Sequence, residues 1–361
     1  MGRKLQIEAF RNALRQGVAT GRTPSFAVLG EWGIGKSSLL LKCSAVCDEP
    51  EFKMLAVPFS VSKELGDYRQ FAETLLDTFS DCVARSPSVE ARIRRELQNW
   101  KLKRVNVGAF ALDRNTQQFF LSSGTAILKH AIQDAWRRFI RPTQLNGVVF
   151  LLDDLHNLNT PSQDGIALAL RDQFQSFAIE NINCSVCFSA PMNYFSNIRS
   201  LAEPAVRFYD KVYLDTFSLV ETGEYVKAVF RTAANHTELA QWVHSKTGGH
   251  PYFIAFICRQ LAGLAQSAPT LEATRHWPEI FEHLEKEKFR ADLANVTDRE
   301  VQLLRAVARS DEEGVNLKQF DQRYERVYFS RLTDKGLLIR TGRGRYKLYH
   351  PLFRQFLQQR E

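Results

Sequence analysis

Gly30-Glu31-Trp32-Gly33-Ile34-Gly35-Lys36-Ser37 has the spacing G-x-x-x-x-G-K-[ST]. Each residue type in that pattern has a physical use. The glycines let successive backbone N–H groups turn toward one anion, the lysine adds a point charge, and the hydroxyl offers an oxygen to a hard cation. The expected ligands are therefore ATP and Mg²⁺, with Lys36 on the β- and γ-phosphates and Ser37 on the metal. Gly30, Glu31, Trp32, Gly33, Ile34, Gly35 and Ser38 complete the loop that cradles the nucleotide, and Trp32 reads as a packing or base-stacking residue.

A second constellation belongs to the same chemistry. Val148-Val-Phe-Leu-Leu152 is an apolar run that ends on Asp153-Asp154. Asp153 is placed to hold the Mg²⁺, and Asp154 to orient the water that attacks the γ-phosphate. Asp is one methylene shorter than the Glu common at that second position, so slow hydrolysis is expected.

Both constellations need a scaffold that brings strand ends together. Apolar strands are expected at Phe26–Leu29, Met54–Val61, Val148–Leu152, Cys184–Ser189 and Val212–Phe217, with helices between them. That rhythm predicts an α/β fold, a P-loop NTPase with a parallel sheet core. Tyr68, Phe71, Leu75 and Phe79 recur at helical spacing, as do Ile127, Leu128, Ala131, Ile132 and Ala135, which marks a helical insert over about 62–145. Within it, Arg104–Leu112 reads as a short ribbon. From Leu219 the pattern is helical and passes through Thr247-Gly-Gly-His-Pro-Tyr-Phe253. The terminal segment spells helix (Asp298–Arg309), helix (Leu317–Gln322), helix (Val327–Lys335) and a hairpin turning at Gly342-Arg-Gly-Arg345. The expected domains are a core over 1–218, a helical lid over 219–290 and a C-terminal winged helix-turn-helix over 291–361.

Composition narrows the class. No apolar run approaches a membrane span and no signal-peptide core opens the chain, so a cytoplasmic protein with no membrane partner is expected. The six cysteines lack the spacing of a zinc site and read as buried free thiols. The net charge of +8 is uneven, because Thr297–Glu361 holds 14 Lys/Arg against 9 Asp/Glu. A basic C-terminal module points to an acidic partner.

Taken together, these motifs resemble the AAA+ and STAND class of P-loop ATPases, especially the archaeal and bacterial ATPases related to replication initiators. The likeness rests on Gly2-Arg3, Gly30–Ser37, Val148–Asp154, Thr247-Gly-Gly-His-Pro251 and the terminal His350-Pro-Leu-Phe353. The opening Gly-Glu-Trp-Gly is also similar to that of the KAP family, whose typical transmembrane helices have no counterpart here. The resemblance implies further roles. Ser189 matches a polar sensor of the γ-phosphate, Arg207 an arginine finger acting on a neighbouring subunit's nucleotide, and His250 and Pro251 a lid motif over the nucleotide. It also implies an ATPase that assembles as a homo-oligomer, ring or filament, in its ATP state and grips duplex DNA. Arg326, Arg331 and Lys335 on the third helix, with Arg343 and Arg345 on the wing, are the expected DNA contacts. Two other functions fit the same resemblance. One is a signalling or defence switch whose winged helix docks a protein effector, and the other is a transposition or recombination regulator that polymerises on DNA.

Overall fold

The computed structural model describes residues 2–65, 67–98, 100, 123–158, 163–195, 203–231, 235–264, 271–310, 314–319 and 323–359. The chain forms two units. One contains Arg3–Gly30 and Gly35–Leu214; the other contains Met1–Gly2, Glu31–Ile34 and Asp215–Glu361.

The first unit is built on five strands, β1 (Phe26–Gly30), β2 (Met54–Ser60), β3 (Gly147–Asp153), β4 (Cys184–Ala190) and β5 (Asp210–Leu214), in the order β2-β3-β4-β1-β5. All pairings are parallel. Parallel sheets survive only with both faces covered, and β1, β3 and β4 are accordingly near-continuous apolar runs buried almost throughout. Helices α1 (Lys4–Thr20), α2 (Lys36–Cys47), α3 (Tyr68–Arg85), α4 (Ser123–Ala135), α5 (Gln163–Ile179) and α6 (Glu203–Phe208) belong to this unit. The spacing that predicts α3 buries Phe71, Leu75 and Phe79, and the Phe79 ring lies 5.6 Å from that of Phe150 on β3. Leu128, Ile132 and Ala135 of α4 are buried in the same core. The ribbon expected at residues 104–112 lies outside the described residues.

Register places the ends of four strands on one edge of the sheet: Leu29 pairs with Ala190, Leu152 with Phe188, and Asp153 with Ser60. That edge, outside the carboxyl ends of the strands, is where open α/β sheets bind ligands. The fifth strand differs from its expected span. It begins at Asp210 opposite Phe26 and stops at Leu214, because Phe217 leaves the sheet and its N–H donates to the Gly249 carbonyl at 2.7 Å.

The second unit holds α7 (Leu219–Val229), α8 (His236–Thr247), α9 (Pro251–Leu264) and α10 (Trp277–Leu284), the last running into a π-helical turn at Glu285–Phe289. α11 (Asp298–Arg309), β6 (Val315–Asn316), a 3₁₀ turn at Leu317–Gln319, α12 (Arg323–Asp334), β7 (Leu338–Gly342), β8 (Arg345–Leu348) and α13 (Pro351–Gln359) follow. The three short strands form an antiparallel sheet in the order β6-β8-β7. The helix expected over Leu317–Gln322 starts as that 3₁₀ turn, tied to the hairpin by the Leu317 N–H on the Gly344 carbonyl; residues 320–322 lie outside the described residues.

Reciprocal capping boxes open α7 (Ser218 with Glu221) and α11 (Thr297 with Glu300), satisfying otherwise orphaned N–H groups. The expected lid and winged segments share one apolar core running from Phe217 to Leu357. Phe289 lies between them, 6.1 Å from Phe253 and 5.4 Å from Phe353 by ring centroids. Among the described residues, no helix is long and apolar enough to cross a membrane.

Candidate active site

Strand β1 ends at Gly30, and the loop turns back through Gly33 (φ 70°) and Gly35 (φ 94°), left-handed conformations that favour glycine. Gly35 caps α2, whose first residue is Lys36. The first N–H groups of α2 have no intrahelical partners, so they and the helix dipole offer a ready anion site beside the exposed Ser37 and Ser38. The Lys36 Nζ donates to the Gly30 carbonyl at 3.0 Å, which places the ammonium across the mouth of the loop.

The loop tip, Glu31–Ile34, belongs to the second unit, and the contacts there give Trp32 a packing role. Its half-exposed ring lies 4.8 Å from that of Tyr252, and the Lys288 ammonium sits 3.8 Å from its centroid. His250 Nε2 donates to the Trp32 carbonyl at 3.1 Å. Burial, with a smaller repulsion from Lys288, pushes the His250 pKa down to about 4, so the ring stays neutral at pH 7. Pro251 opens α9, a position that suits its missing N–H. Gly249 before them is obligatory, since a Cβ there would lie 2.0 Å from the Phe217 carbonyl oxygen. The Thr247–Pro251 motif is thus a turn that sets His250 against the backbone of the phosphate loop.

The fully buried Ser189, near the end of β4, makes two hydrogen bonds to the acidic pair at the end of β3. Its hydroxyl donates to Asp153 Oδ1 at 2.5 Å and accepts from the Asp154 N–H at 2.8 Å. The residue expected as a γ-phosphate sensor therefore holds both acidic residues in place. Asp154 has a left-handed backbone (φ 55°, ψ 47°) and starts a 3₁₀ turn, Leu155–Asn157. The turn sets His156 beside it, with Nδ1 4.0 Å from Asp154 Oδ1. Burial lowers the His156 pKa; Asp154 pulls it up and Lys36 pulls it down.

The donors fit a magnesium ion. Among the described residues no group of three or more His, Cys, Asp or Glu is placed to cage a metal. One carboxylate, Asp153, and one hydroxyl, Ser37, instead suit a cation that keeps several waters and is shared with phosphates. Mg²⁺ held there would neutralise charge on the phosphates.

The remaining expected residues are carried by other elements. Arg207 is exposed on α6, just before the edge strand β5. Arg326 and Arg331 are exposed on α12, and Arg343 and Arg345 are exposed at the β7–β8 turn. Lys335 is committed elsewhere. Its Nζ donates at 2.8 Å both to Glu300 Oε2, in the α11 capping box, and to the Asn295 carbonyl. Burial raises the Glu300 pKa, but the hydrogen bonds from Lys335 and Thr297 outweigh it and hold the carboxyl below its ordinary range.

Sequence reasoning passed over His156, Lys288, Asp292 and Tyr349. Lys288 pairs with Asp292, and Asp292 accepts from the Tyr349 hydroxyl at 2.8 Å, so a chain of polar contacts runs from Trp32 to the start of the last helix. Only His156, two residues past Asp154, had a readable signal in its spacing.

Residues 1–179 match the AAA ATPase domain family. No curated protein matches the chain. Among solved structures, the ORC2 protein of Aeropyrum pernix, in its ADPNP–ADP complexes, superposes with a TM-score of 0.60 at 14% identity, over 99% of this chain and 93% of that one. The Walker-type ATPase of Pyrococcus abyssi gives 0.59 at 15% identity, over 99% and 95%. At these identities the likeness is one of fold. The sequence match covers both the phosphate loop and the acidic end of β3, and on that ground residues 1–179 form an AAA ATPase domain.

Proposed function

We propose that this ATPase binds duplex DNA through its C-terminal module, and that nucleotide state governs both the grip on DNA and assembly with further copies of the chain. The observation that carries this reading is the disposition of arginine. Arg326 and Arg331 on α12 and Arg343 and Arg345 at the β7–β8 turn are all exposed on one small helix-and-hairpin module. Arg354, which serves folding, is by contrast buried and donates to the Ala308 carbonyl at 2.8 Å. A winged helix-turn-helix would lay α12 in the major groove with the hairpin arginines on phosphates. Lys335 is left out of that interface because Glu300 and Asn295 already use its ammonium.

Coupling to nucleotide is supported by the same unit holding the loop tip and this module. The His250 ring, on the Trp32 carbonyl, lies 5.4 Å from His350, which precedes the last helix. At the catalytic edge, Lys36 and the N-terminus of α2 take the phosphates, Ser37 and Asp153 take Mg²⁺, and Asp154 orients the water. Arg207, beside the edge strand β5, completes a neighbour's site.

The test measures binding of a fluorescent duplex and particle size together, with a non-hydrolysable ATP analogue, with ADP and without nucleotide. The reading expects tighter binding and a larger species with the ATP analogue. A chain that binds no duplex at low salt in any nucleotide state would overturn it. The second reading, a switch whose module docks a protein, would then lead, drawing on Val327, half-exposed among the arginines of α12.

A further inference from the structure

Asp154 is an unusual carrier for a water-orienting carboxylate. Its side chain is short, and its left-handed backbone leaves the carboxylate direction to be set by what lies beside it. Ser189 fixes the Asp154 N–H and binds the Asp153 carboxylate, but it does not hold the Asp154 carboxylate. Among the described residues, the His156 imidazole comes within 4.0 Å of that carboxylate. The Asn157 N–H on the Asp154 carbonyl, at 2.9 Å, closes the turn that brings it there.

Two features show that the imidazole has a hydrogen bond still to make. Its Nδ1 is buried from solvent and has no hydrogen-bond partner among the described residues, and it faces Asp154 Oδ1 at 4.0 Å. A buried nitrogen left unsatisfied costs roughly 1–3 kcal/mol, which a small side-chain rotation would recover. Pairs that act in catalysis are often long in the free enzyme and tighten in the complex.

We propose that His156 is a positioning residue for hydrolysis: its Nδ1–H donates to Asp154 Oδ1 when the site is loaded and so fixes the carboxylate that orients the attacking water. The imidazole keeps its proton throughout; one Asp154 oxygen accepts from His156 and the other from the water. The interaction gives the short aspartate the fixed direction that a longer side chain would otherwise need from its own packing. The inference rests on the reading of Asp154 as the water-orienting carboxylate.

The experiment compares steady-state ATP hydrolysis and calorimetric ATP binding for the full chain and for His156→Phe, His156→Asn, Asp154→Asn and the double variant His156→Phe/Asp154→Asn. Phe keeps the ring without the donor, and Asn keeps a donor near the position of Nδ1. The expected result is a kcat lowered roughly tenfold in His156→Phe, the scale seen when the partner of a ligating group is lost, with KM and ATP affinity unchanged. His156→Asn recovers most of the rate, and His156→Phe adds no further loss to Asp154→Asn. The proposal is overturned by wild-type kcat in His156→Phe, by a loss that appears in KM or ATP affinity, by failure of Asn to rescue, or by an equal further loss in the Asp154→Asn background. Wild-type turnover in Asp154→Asn would sink the underlying reading as well, since no carboxylate would then need positioning, whereas a dead Asp154→Asn beside a fully active His156→Phe removes the positioning role alone.

Discussion

Lys36 is the residue whose loss should be felt first. Its ammonium is held at the mouth of the loop by the Gly30 carbonyl, and Ala there removes the point charge meant for the β- and γ-phosphates. Lys36→Ala should abolish tight ATP binding in a calorimetric titration; unchanged affinity would refute the phosphate-loop assignment. Asp154→Asn should leave ATP affinity within a few-fold of wild type and lower kcat by roughly a hundredfold, because Asp153 and its Ser189 bond remain while the water loses its acceptor. Turnover at the wild-type rate would place the water-orienting group elsewhere. At this scale the sequence was legible where chemistry dictates spacing, as in Gly30–Ser37 and Asp153-Asp154. It was silent on Ser189 as the clamp of both acids, because that role depends on β3 and β4 being neighbours, which no local pattern states.

Elements were readable where periodicity was strong and tertiary contacts only confirmed it. The spacing of α3 and the apolar runs of β1, β3 and β4 are of this kind. Strand β5 was placed too late along the chain because Phe217 looks like strand but is claimed by the core of the second unit. Lys335 looked like a helix-end DNA contact until Glu300, distant in sequence, proved to be its partner. Elements also set a pH response. Burial drives His350 down to about 3 and His250 to about 4, from an ordinary 6.5. Both rings are therefore neutral in the fold, while in the unfolded chain they take up protons as the pH falls through 6.5. The unfolded state then binds more protons, so stability is full above about pH 6.5 and declines as the pH drops toward 4 and 3. His350→Gln removes one titrating group. It should flatten the stability–pH curve by about 1.4 kcal/mol per pH unit between pH 6 and 4, read from denaturant unfolding. An unchanged slope would mean that His350 is not buried neutral.

At the scale of the whole molecule, the ATPase is proposed to act in company and on DNA. Arg207, beside the edge strand β5, should complete the site of an adjacent copy, where it stabilises charge on the γ-phosphate. Arg207→Ala and Lys36→Ala should each hydrolyse ATP poorly, and mixing them should restore activity, since one interface then combines an intact loop with an intact arginine. Failure to rescue, with a monomer in light scattering under ATP, would argue against action between subunits. How the parts work together was the least legible feature of the sequence. The lid and the winged module read as separate domains, whereas Phe253, Phe289 and Phe353 place them in one core.

Whether the C-terminal arginines grip duplex DNA is read from the salt dependence of binding. Each phosphate contact releases about one counterion, so the slope of log affinity against log salt counts contacts. Arg343→Ala/Arg345→Ala should weaken binding to all duplex sequences and reduce that slope by roughly two, while basal ATP hydrolysis persists. Wild-type affinity and slope in the double variant would mean that Arg343 and Arg345 do not contact DNA.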